Sequence, residues 1–336
     1  MKTHFSNLYR RIEQANLSDA YKNLQDILSE IKGNVITIGT GGSYPIASYA
    51  SEVIKEKNKV MAVSMKPRDI LFTHLESVEY VIMFTYSGKT PSILKAIDEC
   101  KKYKHIKIVV VTREKLKKDV VLREYDTVIS YKKDDTKEKS FINIAATLAP
   151  ISLFLRYAME PIETQEFLDY IIKQLNKSKE QIESISSVVD FKSILSKNNN
   201  TVEVLTGDHT YPSAYILESN LVESGIAYTV LQEKNDYCHG RSILNYKNRT
   251  SLLIYLINGE AKKQDTFLID KYMKKFYNQI LCLQSEEDKI ISSFNLCVLA
   301  MYLSKKIAES VGINLSKIDY PEEIKKIYHF SGDMGQ

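Results

Sequence analysis

Residues 34–44, NVITIGTGGSY, and residues 201–211, TVEVLTGDHTY, follow one pattern. Each is a short β-branched run, a glycine-containing loop, a hydroxyl residue, and a Tyr-Pro pair that opens a helix. The interval from Tyr44 to Tyr211 is 211 − 44 = 167 residues, about half of a 336-residue chain. A chain that restarts its pattern halfway is read as one supersecondary plan used twice. That constrains the fold more than composition does, since length alone allows any two domains of roughly 150 residues.

Each half reads as strands alternating with helices. The first predicts strands at 35–38, 60–64, 80–85, 106–112 and 126–131, after a helical stripe over 5–31 carrying Leu8, Ile12, Leu24, Leu28 and Ile31 and ending at Gly33. The second predicts strands at 201–206, 226–231, 250–258 and 278–284. Between the halves lies a helical region over 138–185 and the polar tract SKNNN at 196–200. Short apolar strands separated by helices are the βαβ signature of a parallel sheet covered on both faces. The expected fold class is α/β, with two such units. The expected boundaries are an N-terminal helical segment (1–32), a first domain (33–160), a helical linker (161–200), a second domain (201–318) and a C-terminal tail (319–336).

Composition excludes several classes. Hydrophobic residues make up 44% and charged residues 26%, which is enough to build cores without staples. Lys plus Arg is 46 against 42 Asp plus Glu, so the net charge of +4 predicts no nucleic-acid or membrane partner. The four cysteines, Cys100, Cys238, Cys282 and Cys297, show no CxxC or Cys/His spacing, so no metal site is expected and a reduced, cytoplasmic setting is. The N-terminus has no apolar h-region of a secretory signal. The uncharged run 140–155, SFINIAATLAPISLFL, is shorter than a bilayer span of ~20 residues and contains Asn143, Thr147, Pro150 and Ser152, so it predicts a core helix. A second long apolar helix, 290–312, matches it in position.

Ligands of parallel α/β sheets bind beyond the carboxyl ends of strands, where helix N-termini offer free N–H groups. Two first-half loops lie there. GTGGS (39–43) brings the backbone close and supplies Gly42 and the Ser43 hydroxyl; TYSGKT (85–90) supplies Thr85, Ser87, Gly88 and Thr90 just before Pro91 opens a helix. Hydroxyls with helix-start amides can cradle a phosphate without a metal. A Rossmann fingerprint fails because Tyr44 stands where a glycine is needed, and a Walker A loop fails because Met83 does. The bland alternative for either loop is a glycine-containing turn.

On GTGGS and TYSGKT the chain resembles the SIS (sugar isomerase) domain family, duplicated in tandem and similar to the isomerase half of glucosamine-6-phosphate synthase and to the bifunctional phosphoglucose/phosphomannose isomerases. The resemblance spans residue 33 to the tail and is looser in the second half. It implies three-layer αβα, flavodoxin-like units and a sugar-phosphate pocket with no cofactor. It also implies a homodimer that shares its active site, since the family's histidine comes from the partner subunit. Phosphate contacts would be Gly42, Ser43, Thr85, Ser87, Gly88 and Thr90. The matching glutamate, which moves the proton between C1 and C2, would be Glu218 in AYILES, and the ring-opening histidine His239 in DYCHGRSIL. These are 239 − 218 = 21 residues apart, about five more than the resemblance implies. Tyr86, Arg241, Lys325 and Lys326 are possible substrate contacts, and His209 is a weaker candidate. The lysine of the aminosugar enzymes, one turn before the glutamate, is replaced here by Tyr215.

The implied function is binding of a phosphorylated sugar with aldose–ketose isomerisation or a related C1/C2 reaction. Two alternatives stay open: a non-catalytic sugar-phosphate sensor, and a deglycase or deaminase acting on an amine-bearing sugar phosphate. Without an amidotransferase segment in the sequence, a complete glutamine-dependent synthase is not expected. A solvated helix face for Glu218 and Glu223, and a surface ion pair for Arg241, are the bland readings of those residues.

Overall fold

The computed structural model describes residues 7–118, 120–131, 142–197, 200–247, 250–259, 263–287, 289–315 and 321–328. The chain opens with helices α1 (Leu8–Asn16) and α2 (Asp19–Glu30), split at Ser18, whose hydroxyl accepts from the Ala20 N–H and so caps the second. Strands β1 (Asn34–Ile38), β2 (Ala62–Met65), β3 (Val78–Thr85), β4 (Lys107–Thr112) and β5 (Thr127–Ser130) alternate with α3 (Tyr44–Asn58) and α4 (Pro91–Cys100). Three helices follow: α5 (Ala145–Met159), α6 (Thr164–Val188) and α7 (Phe191–Lys197).

The pattern then restarts with β6 (Thr201–Thr206), α8 (Tyr211–Glu223) and β7 (Tyr228–Glu233). A helical link of α9 (Lys234–Asp236), a π-type turn (Tyr237–Arg241) and α10 (Ser242–Lys247) leads to β8 (Thr250–Asn258). The chain ends through α11 (Lys263–Lys271), β9 (Tyr277–Ser285), α12 (Lys289–Ser310) and α13 (Glu322–Tyr328).

All pairings are parallel, in the orders β2-β1-β3-β4-β5 and β7-β6-β8-β9. The second sheet therefore repeats the winding of the first without its fifth strand. The register repeats too. Val35 faces Ala62 and Val202 faces Thr229, both displaced by the interval that separates Tyr44 from Tyr211. Beyond β7 the displacement grows by five: Val81 faces Ile108, and its counterpart Leu253 faces Ile280. The second half thus carries five extra positions between its second and third strands, in the link that holds His239.

The inner faces of both sheets share one apolar core with α1, α2, α3, α5, α6, α8 and α12, so the helices between the sheets belong to both. Separate outer clusters cover the far face of each sheet. The apolar run predicted as a core helix is α5, whose side chains from Ala145 to Arg156 are all buried. Buried Arg156 donates to the Asn16 carbonyl (3.0 Å) and the Thr164 hydroxyl (2.6 Å) and stacks on Tyr21 (3.9 Å to the ring centroid). It fastens α1 and α2 to the core. Among the described residues α12 is long and apolar enough to cross a membrane, but 78% of that apolar window is buried against the protein.

Three expected elements shift, the first being β2, which runs over Ala62–Met65 instead of 60–64. The β7 strand runs two positions later than its apolar run because the N–H groups of Ile226 and Ala227 turn back to the Leu221 carbonyl after α8. The helical region from 138 to 185 divides into α5 and α6 around Pro161, and its first residues, up to 141, lie outside the described residues. Asn198 and Asn199 of the polar tract do as well.

Candidate functional site

A cavity of about 790 Å³ opens beyond the carboxyl end of the first sheet. Its size is that of a small-molecule site. The loop after β1 contributes Thr40, Gly41, Gly42 and Ser43, and the loop after β3 contributes Tyr86, Ser87 and Thr90. Asn143, Ala146 and Thr147 at the start of α5 form another wall. Glu223 enters from the last turn of α8, and Ile324 and Ile327 from α13.

Glycine makes the first loop possible. A Cβ on Gly39 would lie 2.1 Å from the Ser43 carbonyl oxygen, because the chain doubles back there before α3 begins. Neither Ser43 nor Thr90 uses its hydroxyl to cap the helix it precedes, and Pro45 and Pro91 sit in the first turns. The first-turn N–H groups of α3 and α4 therefore keep donors for a ligand.

The second loop is braced from behind. Gly88 has φ +65°, and a Cβ on it would lie 2.4 Å from the Lys115 carbonyl. The Thr85 hydroxyl lies 3.0 Å from that of Thr90 and accepts from the Gly88 N–H at 3.2 Å. Thr85 and Gly88 are buried and are not among the cavity's lining residues, so they shape the loop while Ser87 and Thr90 face the opening. Tyr86 also lines it, with the Arg113 guanidinium 5.5 Å from its ring centroid. The described lining offers an anion hydroxyls and helix-start amides.

The carboxylate in this cavity is Glu223, not Glu218. The two positions are five apart on α8, roughly 140° around a helix of 3.6 residues per turn. The Glu223 carboxylate accepts from the Ser219 hydroxyl at 2.6 Å, and both line a narrow extension of the cavity with Gly42, Pro45 and Asn220. Glu218 lies half-buried on another face, near Lys66 and Tyr215. Burial raises its carboxyl above the ordinary range and the charge of Glu223 adds to this, while Lys66 opposes it. A tyrosine cluster adjoins it: Tyr44 lies 5.1 Å from Tyr215 and 6.3 Å from Tyr211 between ring centroids.

The sequence contained a signal for Glu223. It stands five positions closer to His239 than Glu218 does, which removes the excess spacing counted from Glu218. One turn before Glu223 stands Asn220, which is buried and donates to the Ser304 hydroxyl at 3.2 Å.

His239, Arg241 and His209 are not among the residues that line the cavity. His239 is exposed on the turn after α9, and Arg241 on the same turn forms an exposed ion pair with Asp236 at 3.8 Å. His209, with φ +57°, contacts Glu52 of α3 at 3.6 Å, an ion-pair distance. Lys325 and Lys326 fall on α13, but their side chains lie outside the described residues.

Comparisons with known proteins agree with this architecture. Residues 27–156 match the family model of the SIS domain. Among solved structures, the chain is similar to the C-terminal domain of glucosamine-fructose-6-phosphate aminotransferase from Francisella tularensis (13% identity, 94% of this chain and 97% of that one, TM-score 0.72). It is similar to glucosamine-6-phosphate deaminase from Thermotoga maritima (18% identity, 95% and 97%, TM-score 0.70). The third is tagatose-6-phosphate ketose/aldose isomerase from Escherichia coli (13% identity, 95% and 96%, TM-score 0.71). At these identities the likeness shows the fold. No curated protein matches the chain.

Proposed function

Starting from a chain whose residues 27–156 are a SIS domain, we propose that it binds a phosphorylated sugar in the cavity at the end of the first sheet and interconverts its aldose and ketose forms. The observation that carries this reading is one cavity with two kinds of lining. Uncapped helix starts and hydroxyls stand on one side, and a carboxylate from the other half of the chain stands on the other. In this reading Ser43, Ser87 and Thr90, with the first-turn amides of α3 and α4, hold the phosphate, while Thr85 and Gly88 keep the loop in shape.

With the phosphate so held, the open-chain sugar extends toward Glu223. Its carboxylate takes the proton from C2 and the C2–H electron pair becomes the C1–C2 double bond of an ene-diol. Returning that proton to C1 completes the ketose. A second group must move the hydroxyl proton between O1 and O2 and assist ring opening. His239 would do this from a second copy of the chain, a role that fits its exposure and its place outside this chain's cavity. The sugar-phosphate names of the similar solved structures support the substrate class.

A thermal-shift screen of phosphorylated and unphosphorylated sugars tests the binding, because a ligand of the folded state stabilises it by RT ln(1 + [L]/Kd). Stabilisation by phosphorylated sugars alone is expected. Equal response to both kinds, or to neither, would contradict the phosphate assignment. Product analysis by NMR on the hits then separates an isomerase from a binding protein or a deaminase.

A further inference from the structure

Glu203 is 2% exposed in the middle of β6, a place the strand pattern reserves for an apolar side chain. Its equivalent in the first half, one repeat interval earlier, is Ile36, which packs in the apolar outer cluster. Burying a carboxylate there is unfavourable unless its oxygens are satisfied. One of them, Oε2, accepts from the Tyr277 hydroxyl (2.5 Å), the Asn245 amide (2.9 Å) and the Gln232 amide (3.3 Å). The Tyr237 hydroxyl lies 3.3 Å from that of Tyr277, and Asn245 also donates to Tyr277.

The chain positions of these partners matter more than their number. Tyr237 and Asn245 stand on either side of the turn that presents His239, Gly240 and Arg241. Gly240 breaks the helix there with φ +136°. This is the link in which the second half carries its five extra positions. A third tie, from Lys234 to the buried Asp265 at 3.2 Å, holds the link's beginning. Asp265 in turn accepts from the Tyr255 hydroxyl of β8 at 2.8 Å.

We propose that Glu203 is a positioning residue: from within the sheet it clamps the exposed His239 turn through Tyr237 and Asn245, fixing the direction in which His239 is presented. The clamp stands on the hydrogen bonds alone; its consequence for turnover rests on the function proposed above for His239.

The experiment combines hydrogen exchange with kinetics on the full chain. Glu203→Leu removes the acceptor at similar volume, Glu203→Gln keeps an acceptor oxygen, and Asn245→Ala cuts one tie while leaving the strand intact. Exchange over 237–247 should quicken by roughly tenfold or more in Glu203→Leu and Asn245→Ala, while β6 and β8 stay protected. Glu203→Gln should remain near wild type. With a sugar phosphate that the wild type converts, kcat should fall in the first two variants and KM should hold. Unchanged exchange over 237–247 in Asn245→Ala would overturn the clamp. So would loss of protection throughout the sheet with kcat and KM moving together, the mark of a merely structural group. Quickened exchange with kcat unchanged would overturn the positioning role in turnover. If the wild type converts no sugar phosphate, it is the isomerase reading that has failed, and exchange over 237–247 alone decides the clamp.

Discussion

The two halves share a winding and a register, yet their loops after the first strand have opposite character. In the first half the loop is Gly39-Thr40-Gly41-Gly42-Ser43; in the second it is Thr206-Gly207-Asp208-His209-Thr210. The first is open and its hydroxyl is free of capping. In the second the Thr210 hydroxyl is fully buried, 2.7 Å from that of Thr206 and accepting from the Gly207 N–H, and His209 leans onto Glu52 of the opposite half. Helices α3 and α8 pack against each other, and each half's loop meets the other half's helix: Gly42 lies with Ser219 and Glu223, and His209 with Glu52. At the first loop this meeting places Glu223 at a cavity. At the second it places Glu52 against a histidine. The repeated winding supplies two equivalent junctions, and the side chains decide that one is open and the other filled.

The largest expected break in this comparison comes from the carboxylate. Glu223→Gln should lower turnover of the bound sugar phosphate by about 10²–10⁴-fold, the span of a lost general base, and leave thermal-shift binding in place. Glu218→Gln should leave turnover near wild type. The reverse ranking in steady-state assays would return the base to Glu218.

Next comes the backbone of the open loop. Gly39→Ala forces a Cβ against the Ser43 carbonyl and should cost about 3 kcal/mol or more in denaturant unfolding. Gly259, in the loop after β8, has a positive φ, but a Cβ added to it would meet nothing within 4 Å, so Gly259→Ala should cost only about 1 kcal/mol. Equal costs would mean that the first loop is less tightly folded than its geometry implies.

Phosphate contacts should show a smaller, one-sided effect. Ser87→Ala and Thr90→Val should each raise KM by roughly tenfold, as expected for one hydrogen bond to a charged group. Thr210→Val should leave KM unchanged although it stands where Ser43 does in the repeat.

The smallest effect is the pH response of the filled junction. The Glu52 carboxylate holds His209 above its ordinary value, and burial raises Glu52 itself. Both groups therefore bind protons more tightly in the folded chain. The His209 contribution is fully present below its unfolded-state value and is lost as pH rises through its raised folded-state value, while that of Glu52 is lost at lower pH, through its own raised value. His209→Gln should cost about 1 kcal/mol near pH 6 and nothing by pH 9, read from thermal unfolding at both. A cost that grew with pH would contradict the ion pair.

Much of this fold was legible because strand and helix boundaries are local. Tyr44 and Tyr211 begin α3 and α8 as the Tyr-Pro signal requires, and β6 and β8 fall where their apolar runs predict. The loops of the cavity were legible for the same reason. The choice between Glu218 and Glu223 left only the spacing to His239 as a trace in the sequence, since which of them faces the cavity depends on how α8 is rotated against α3, a matter of packing between segments half a chain apart. Glu203 was hidden differently. A carboxylate inside a strand pattern says only that partners must exist, and they come from Gln232, Asn245 and Tyr277.

In the proposed function, two copies of one plan form one site per chain. Calorimetric titration with a phosphosugar identified by thermal shift measures this directly, on the wild type and on a Ser87→Ala/Thr90→Val double variant. One sugar phosphate should bind per chain in the wild type, and that binding should be lost in the double variant. Two equivalents per chain, or one that survives the double substitution, would contradict the proposal.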